Sequence, residues 1–434
     1  VNGDLYNSGS VQSSTPSTLA VNTRGCIAFD TATGNFWTGQ LSGTSVTWDN
    51  SGNPATGSNP ITSSIPTSNY WSAVVSGRNS CSISLYTTSN DFEVSALPTG
   101  FTAIDTTNIA SNISHSDSNT NKYFEATIYT GSGSEKSVQS STTTNTSAFS
   151  WIKNRGTDDN HMLFDRVRGV TKDWHSNSDA VQATNVQTVK AFLGGGVTIG
   201  TDVEVNTSTE NYVLWNWMMS ASGGGSSNED GSINTTATLV DTTLGLSISQ
   251  YTGTGSNATI GHGLGAVPKF IIIKNLDVAE DPVAYHEALG NTERILLNSS
   301  NSPSSSTVFW QNTTPTSSVI SIGTDSGLNQ SSQTFICYAF TDSQFVSIGS
   351  YAGNNNANGT FVPTLNSLGL PIQPVWAILR SSAGSNWSIF DNKRLGYNVK
   401  NNELLANIAE QESSESSLDI VTGGLKMRIA TDPN

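Results

Sequence analysis

Short apolar runs separated by clusters of Gly, Asn, Asp, Ser and Pro recur along the whole chain. Examples are FSWIK at residues 149–153, FIIIK at 270–274 and VAYH at 283–286. Runs of this length that are rich in β-branched and aromatic residues, and that are bounded by turn formers, predict β-strands joined by hairpins. We therefore predict an all-β protein built from antiparallel sheets.

The apolar runs belong to a pattern that occurs three times. Each copy opens on a Tyr before a turn, continues into an apolar strand that ends in a base, and then has a strand with an aromatic residue. The base precedes that aromatic residue by 11, 11 and 10 positions in the three copies. The landmarks are Tyr129, Lys153 and Phe164, then Tyr251, Lys274 and Tyr285, and finally Tyr351, Arg380 and Phe390.

Further landmarks keep the first two copies in register. A Gly-Thr-Asp hairpin contains Gly200 and Asp202 in one copy and Gly323 and Asp325 in the other, and a closing strand follows 12 positions after the glycine in both. Several landmarks at constant spacing indicate homologous modules. Since a unit of roughly 100 residues with many short strands is most often a β-sandwich, we predict serial antiparallel β-sandwich modules at residues 120–222, 243–344 and 345–434. The stretch LLANI at 404–408 also fits a helix, but its counterpart ILLN at 295–298 has a strand pattern, and we predict strands at both.

The third copy lacks the closing strand, because the chain stops soon after the residues GLKMR at 424–428. A sandwich without one strand exposes an unpaired edge. We therefore expect the chain to be a piece of a longer polypeptide. Further chain, or a neighbouring subunit, would complete the third module beside residues 425–429.

Residues 1–110 do not follow the repeat and predict a different β module, with strands missing at its N-terminal side. Its clearest element is a hairpin in which residues 27–30 and the pair Phe36-Trp37 flank a turn at 31–35.

Composition agrees with strands and turns. Of the 434 residues only 12% are charged, about half of the roughly 25% usual in soluble domains. Ser, Thr, Asn and 39 Gly supply the polarity, and these residues disfavour helices. The 10 Trp, 11 Tyr and 15 Phe provide apolar area for cores.

The charge balance excludes several partners. The net charge is −15, and an acidic chain with no basic cluster offers little to a nucleic-acid backbone or to anionic lipid. No apolar run is long enough to span a bilayer, so we expect no membrane insertion. Cys26, Cys81 and Cys337 make no C-x-x-C pair; buried thiols are favoured over a Cys26–Cys81 bridge.

Two sets of motifs resemble a known family. The hairpin through Phe29 and Trp37, then Trp48 with Gly52-Asn53-Pro54, then PTGF at 98–101, resemble a SPRY-type, concanavalin-like β-sandwich of marine phage tail-fibre proteins. The sequence departs from that pattern at ISLY, residues 83–86. The three modules are similar to the uncharacterised repeat that follows SPRY domains in those proteins, through Y-T-G-x-G, the Ile-Lys-Asn strand end and the G-T-D hairpin.

The resemblance implies a virion tail fibre or spike, usually a homotrimer, that mediates attachment to the host. Other virion proteins and a host surface glycan or receptor are the implied partners, and the virion is the implied location. No catalytic residue is established for these modules. We therefore expect no enzymatic activity, and no cofactor.

Candidate chemistry is sparse. His286 aligns with Asp165 and Asp391 of the other copies, which favours a structural role over a catalytic one. The glycines of GHGLG at 261–265 are better explained by turns than by phosphate binding, because no Lys-Ser/Thr follows. The bases Lys153, Lys274 and Arg380 are expected to flank strands and discourage edge pairing.

The repeated Gly-Thr-Asp-x3-Asn pattern, with Asp202 and Asn206 or Asp325 and Asn329, is the best candidate for a site. Oxygen ligands at a turn could hold Ca²⁺, but calcium takes about 6–8 oxygens, and a capped turn is favoured. We predict no metal and assign no ligand-binding residue.

Two alternatives to a tail fibre stay open. One is a head-fibre or decoration protein without receptor contact. The other is an extracellular polysaccharide depolymerase, which would need two carboxylates about 5–10 Å apart in a groove. The acidic pairs at 158–159 and 229–230 lie in polar loops, where solvated charge is the expected role. Trp and Tyr residues could stack on sugars, although core positions are favoured for them.

Overall fold

The structure is a computed structural model. It describes residues 5–7, 10–13, 24–30, 32–42, 45–63, 99, 122–139, 144–221, 223–394 and 400–431. The chain forms two compact units, Val1–Ser114 and His115–Asn434. These residues form several antiparallel sheets, and their helices are only single turns. The predicted all-β class is therefore confirmed.

The described residues of the first unit form two antiparallel sheets. One pairs β1 (Leu5–Asn7) with β2 (Ser10–Ser13), and the other consists of β3 (Arg24–Asp30), β4 (Asn35–Ser42) and β5 (Ser45–Trp48). The predicted hairpin is formed by β3 and β4, with Asp30 opposite Asn35. Trp37 is fully buried, and its Nε1 donates to the Ser58 carbonyl at 2.9 Å, beside the 3₁₀ turns Asp49–Ser51 and Pro54–Thr56. Residues 81, 83–86 and most of 98–101 lie outside the described residues.

Module 1, residues 122–221, is a sandwich of two antiparallel sheets. In spatial order the larger sheet contains β11 (Ala183–Thr184), β10 (Lys172–His175), β9 (Met162–Asp165), β8 (Thr146–Asn154), β14 (Asn211–Met219) and β6 (Phe124–Thr130). The smaller contains β12 (Val189–Leu193), β13 (Gly196–Ile199) and β7 (Lys136–Gln139). The helical turn α1 (Val203–Asn206) precedes β14.

Module 2, residues 226–343, repeats this plan. Its larger sheet contains β15 (Ala237–Asp241), β16 (Leu246–Thr252), β23 (Thr334–Phe340), β18 (Phe270–Asn275), β19 (Val283–His286), β20 (Glu293–Leu296) and β21 (Ser304–Ser305). Its smaller sheet pairs β17 (Ala258–Gly261) with β22 (Val319–Ile322). The turn α2 (Thr307–Trp310) stands in place of β12, and α3 (Ser326–Asn329) corresponds to α1.

Module 3, residues 345–431, has one continuous order of six strands. They are β24 (Phe361–Pro363), β29 (Gly424–Met427), β28 (Ser413–Val421), β27 (Lys400–Leu405), β26 (Ser388–Asp391) and β25 (Trp376–Leu379). The ambiguous stretch at 404–405 is therefore a strand, as predicted. The expected completion beside residues 425–429 is wrong, because β29 pairs with β24 on one side and with β28 on the other. The two edge strands, each with one neighbour, are β24 and β25.

Interior strands of the large sheets in all three modules have both faces buried. Within β8, Trp151 and Ile152 point to opposite faces, and in β18 Ile272 points away from Ile271 and Ile273. One face packs inside its own module. The other joins a cluster, the central core, to which every module contributes: Trp151, Trp174, Trp215, Ile272, Ile295, Tyr338, Trp387, Ile389 and Leu404. Burial on two sides explains the uninterrupted apolar runs of β8 and β18, and it makes the three modules one packed unit.

Candidate functional site

The opening Tyr and the Asn of the Gly-Thr-Asp-x3-Asn pattern form the same buried hydrogen-bond cluster, the Tyr–Asn cluster, in modules 1 and 2. Asn206 Nδ2 donates to the carbonyls of Ser134 and Gly200, at 2.7 and 2.6 Å. Asn329 Nδ2 donates to the matching carbonyls of Ser256 and Gly323, at 2.6 and 2.9 Å. The hydroxyls of Tyr129 and Tyr251 donate to the backbone carbonyls of Val205 and Leu328. Both asparagines are fully buried, and they tie the first turn of each module to the helical turn that precedes its closing strand.

The Asp residues of the same pattern cap helical turns. Asp202 Oδ1 accepts from the Glu204 amide at 2.9 Å, and Asp325 Oδ1 accepts from the Gly327 amide at 3.0 Å. Asp325 also pairs with Arg294 at 2.8 Å. These contacts are those of the capped turn that the sequence favoured over a calcium site. Gly200 and Gly323 lie so close to the backbone of residues 187 and 308 that a Cβ atom would collide with it.

The expectation that the recurring bases discourage pairing at sheet edges was wrong for two of the three. Lys153 and Lys274 lie on β8 and β18, interior strands of their sheets, and both side chains are fully buried. Lys153 Nζ donates to the Asn154 and Thr157 carbonyls. Lys274 Nζ donates to the Glu280 carbonyl and, across the module boundary, to the Asp179 carbonyl at 3.0 Å. Arg380 follows β25 and reaches the Asn301 carbonyl of module 2.

Burial lowers the pKa of Lys153 and of Lys274 to about 8, against the opposing effect of nearby carboxylates such as Asp159 and Asp179. The ammonium groups are stabilised mainly by backbone carbonyls, because the closest acidic side chains do not pair with them directly. Each lysine thus keeps its charge at neutral pH at a cost in folding free energy.

We expect the free energy of unfolding to change less with pH in the alkaline range for the variant Lys274→Met than for the wild type. Because the folded-state pKa lies below 10.5, the unfolded chain holds more protons between about pH 8 and 10.5, and Lys274 makes stability rise with pH there by up to about 1.4 kcal/mol per unit. Urea unfolding at several pH values measures the slope. Lys393→Met, at an exposed position, is the control and should keep the wild-type slope. Equal slopes for the wild type and Lys274→Met would contradict the assignment.

Polar contacts in the central core join the modules in a fixed direction. In module 1, Asp165 pairs with Arg168, and in module 3 Asp391 pairs with Arg394, all four side chains being at most 1% exposed. Tyr338 of module 2 donates its hydroxyl to Asp165 at 2.6 Å, and Trp215 of module 1 donates Nε1 to Asp391 at 2.9 Å. Trp215 and Tyr338 are equivalent residues of the closing strands. Module 2 therefore contacts module 1 in the same way as module 1 contacts module 3. Sequence reasoning missed these pairs, although the repeated D-x-x-R at 165–168 and 391–394 is a visible signal.

Module 2 carries His286 at the position of these aspartates, with Leu289 in place of the arginine. His286 is half-buried, its Nδ1 accepts from the Ala288 amide at 3.1 Å, and burial lowers its pKa. A neutral imidazole that accepts at Nδ1 carries its proton on Nε2.

The third landmark of each module, an aromatic residue, lies in that module's own core. Phe164, Tyr285 and Phe390 are at most 2% exposed and pack between the layers of modules 1, 2 and 3 respectively. Seven tryptophans are also buried, namely Trp37, Trp151, Trp174, Trp215, Trp217, Trp310 and Trp387. These residues therefore lie in the cores, the position that the sequence favoured over stacking on sugars.

The remaining sequence candidates have simple structural roles. Gly263 and Gly265 of GHGLG have φ of +69° and +68° in turns, while His262 and Leu264, which precede them, are buried. Asp158 accepts from the Gln411 amide of module 3 and Asp159 from Asn154 and Thr157. Glu229 and Asp230 are exposed. Cys337 is a buried thiol in β23, and burial raises its pKa.

An apolar groove of about 1000 Å³ in module 3 is the candidate functional site. It runs between β25 and the segment 345–351, which contains the opening landmark Tyr351. Its walls include Trp376 and Ile378 on β25, Ile348 opposite them, and Phe270 and His286 of module 2. In modules 1 and 2 the corresponding positions flank β14 and β23, which pair on both sides. The groove therefore occupies the place of a closing strand.

Among the residues that the structure describes, no helix has the length and apolarity needed to cross a membrane. Within the same residues, no group of three or more His, Cys, Asp or Glu side chains is placed to hold a metal ion.

Neither the curated proteins nor the solved structures contain a match to this chain. A family model does match residues 119–434, which include all three modules and most of the chain. That model describes a domain of unknown function, DUF7483, and the chain therefore belongs to the DUF7483 family.

Proposed function

We propose that this chain is a non-enzymatic structural and adhesive protein of a phage particle, a tail-fibre segment that mediates attachment to the host surface. The observation that carries the proposal is how the recurring residues are used. The repeated Lys, Asp, Asn and aromatic landmarks bind backbone, cap turns or fill cores. Such modules act as a rigid scaffold, and recognition is then left to variable loops on the scaffold.

The motif resemblance of the modules and of residues 1–110 to marine phage tail-fibre proteins supplies the virion context. The proposal includes a SPRY-type domain at residues 1–110 and assembly as a homotrimer. It also includes contacts with other virion proteins and a host glycan or receptor as the ligand. The acidic, weakly charged sequence is compatible with a polysaccharide ligand, which is bound through neutral hydrogen bonds and aromatic faces.

The test combines binding, product and location. Purified protein is applied to host cells and to a glycan array, the same samples are assayed for new reducing ends, and antibody labelling locates the chain on particles. Light scattering gives the assembly mass, expected at about three times the 45.8 kDa chain. Tail labelling with cell or glycan binding and no new reducing ends is expected. Release of reducing ends would replace the proposal by a depolymerase, and head labelling without cell binding by a decoration protein.

A further inference from the structure

We propose that the groove of module 3 is a receptor for an extended peptide strand, which inserts antiparallel to β25 and completes the module as β14 and β23 complete theirs. This inference rests on the internal comparison of the modules and stands independently of the virion assignment. Binding by strand addition takes its affinity from main-chain hydrogen bonds and its specificity from pockets for alternate side chains.

The backbone of β25 is set for such pairing. Ala377 and Leu379 lie opposite Phe390 and Ser388 of β26, and the amide of Asn392 donates to the Val375 carbonyl. Residues 375, 377 and 379 thus direct their N–H and C=O groups to β26. In an antiparallel ladder the alternate residues point the other way, so Trp376 and Ile378 present theirs to the groove. Their counterparts Phe270 and Ile272 pair with Phe340 and Tyr338 of β23.

The other wall of the groove is the counterpart of β6 and β16. Residues 345–351 line the groove but do not form a strand, whereas β6 and β16 are strands paired to β14 and β23. A strand in the groove would have a ladder partner on each side, β25 and this segment. We therefore expect residues 347–351 to become a strand when the groove is filled.

Polar atoms beside the groove also lack partners. Among the described residues, Trp376 Nε1 and Arg380 Nη1 are buried without a hydrogen bond, and both residues line the groove. A buried donor left unpaired costs about 1–3 kcal/mol. A strand lying along β25 brings carbonyl oxygens to this wall and can satisfy such donors.

The sequence of the occupant can be inferred from the contacts between modules. Equivalent aromatic residues, Tyr338 and Trp215, each contact the aspartate of a neighbouring module. By the same arrangement, the third such position would face His286 of module 2. Because His286 offers a donor at Nε2 rather than an acceptor, the occupant should carry an acceptor there, such as a Tyr hydroxyl or an Asn, and not a Trp. The flanking residues on the same face should be apolar or aromatic to cover Ile348 and Ile378.

A second copy of this chain does not offer such a strand from its closing strands. β14 and β23 are each paired on both sides and buried in their own sheets. Withdrawing either strand from its sheet would break the Tyr–Asn cluster and the core of its module. We therefore take as the occupant a peptide segment of the stated pattern that is not already paired in a sheet.

A synthetic peptide with the sequence Thr334–Phe340, carrying Cys337→Ser and lysines at its ends for solubility, is the probe. It supplies a Tyr hydroxyl opposite His286. Calorimetry with the full chain should give saturable binding at one site, and hydrogen exchange should slow at residues 347–351 and 376–379. The control peptide carries Ile336→Pro and Tyr338→Pro, which remove two N–H groups needed for pairing with β25, and should not bind.

Two protein variants locate the site. Ile378→Glu and Ile348→Glu place a charge on opposite walls of the groove and should each weaken binding at least about tenfold. Leu368→Glu, in the same module at a position 61% exposed and outside the groove, should bind as the wild type. Circular dichroism confirms that each variant is folded. Absence of saturable binding, or protection elsewhere, would overturn the proposal. Protection of the groove without peptide, together with a dimer mass, would assign it to a second copy instead.

Discussion

Replacing Asp391 by alanine should lower the free energy of unfolding by about 3–5 kcal/mol, the usual cost of breaking a buried ion pair from one side. The substitution leaves the Arg394 guanidinium, 1% exposed, without its carboxylate, although Glu412 still contacts it at 3.0 Å. It also removes the acceptor of Trp215 Nε1, which joins module 1 to module 3. Urea unfolding followed by tryptophan fluorescence measures the loss.

The matched control is Glu135→Ala, which breaks the pair of Glu135 and Lys190, whose side chains are 55% and 34% exposed. Exposed pairs contribute about 0–1 kcal/mol, so this variant should be close to the wild type. A loss below about 1 kcal/mol for Asp391→Ala would show that neither the pair with Arg394 nor the contact with Trp215 of module 1 stabilises the fold as proposed.

The same residue should make the protein sensitive to acid. Burial raises the pKa of Asp391, but Arg394 and the hydrogen bonds to the carboxylate outweigh burial and hold that pKa below its ordinary value. A lowered folded-state pKa contributes stability above about pH 4, and this contribution is lost as the pH falls through the folded-state value. The difference in the free energy of unfolding between the wild type and Asp391→Ala should therefore become smaller in acid.

The second large effect is expected for Phe164→Ala, with a loss of about 3–5 kcal/mol. Phe164 is fully buried between the two sheets of module 1, and its neighbour Leu163 faces the central core. Removing the ring leaves a cavity that two hydrogen-bonded sheets cannot close. Denaturant unfolding or calorimetry measures the loss.

Phe361→Ala makes the same substitution at a position 47% exposed, and it should cost less than about 1 kcal/mol. Equal losses for the two variants would mean that the face assignment along β9 is wrong. A large loss for Phe164→Ala with a small loss for Phe361→Ala would support the position of Phe164 in the core of module 1.

The sequence by itself determined the local structure and the repeat. The hairpin of β3 and β4, the strands at 270–275 and 404–405, and the turns that Asp202 and Asp325 cap were all predicted, because side-chain period, turn formers and capping residues act over a few neighbouring positions. The even spacing of the landmarks likewise aligned Phe164, Tyr285 and Phe390, which the structure places in equivalent cores.

Only the tertiary structure decided what covers the second face of each sheet. Lys153 and Lys274 end apolar runs, and a base in that place is equally compatible with an exposed edge or with a buried strand that offers carbonyl acceptors. Asp165 meets Tyr338 over 173 positions of sequence, and the groove beside β25 is formed by residues from all three modules. Such contacts depend on how the sheets pack around the central core, and no local pattern of polar and apolar residues encodes that packing.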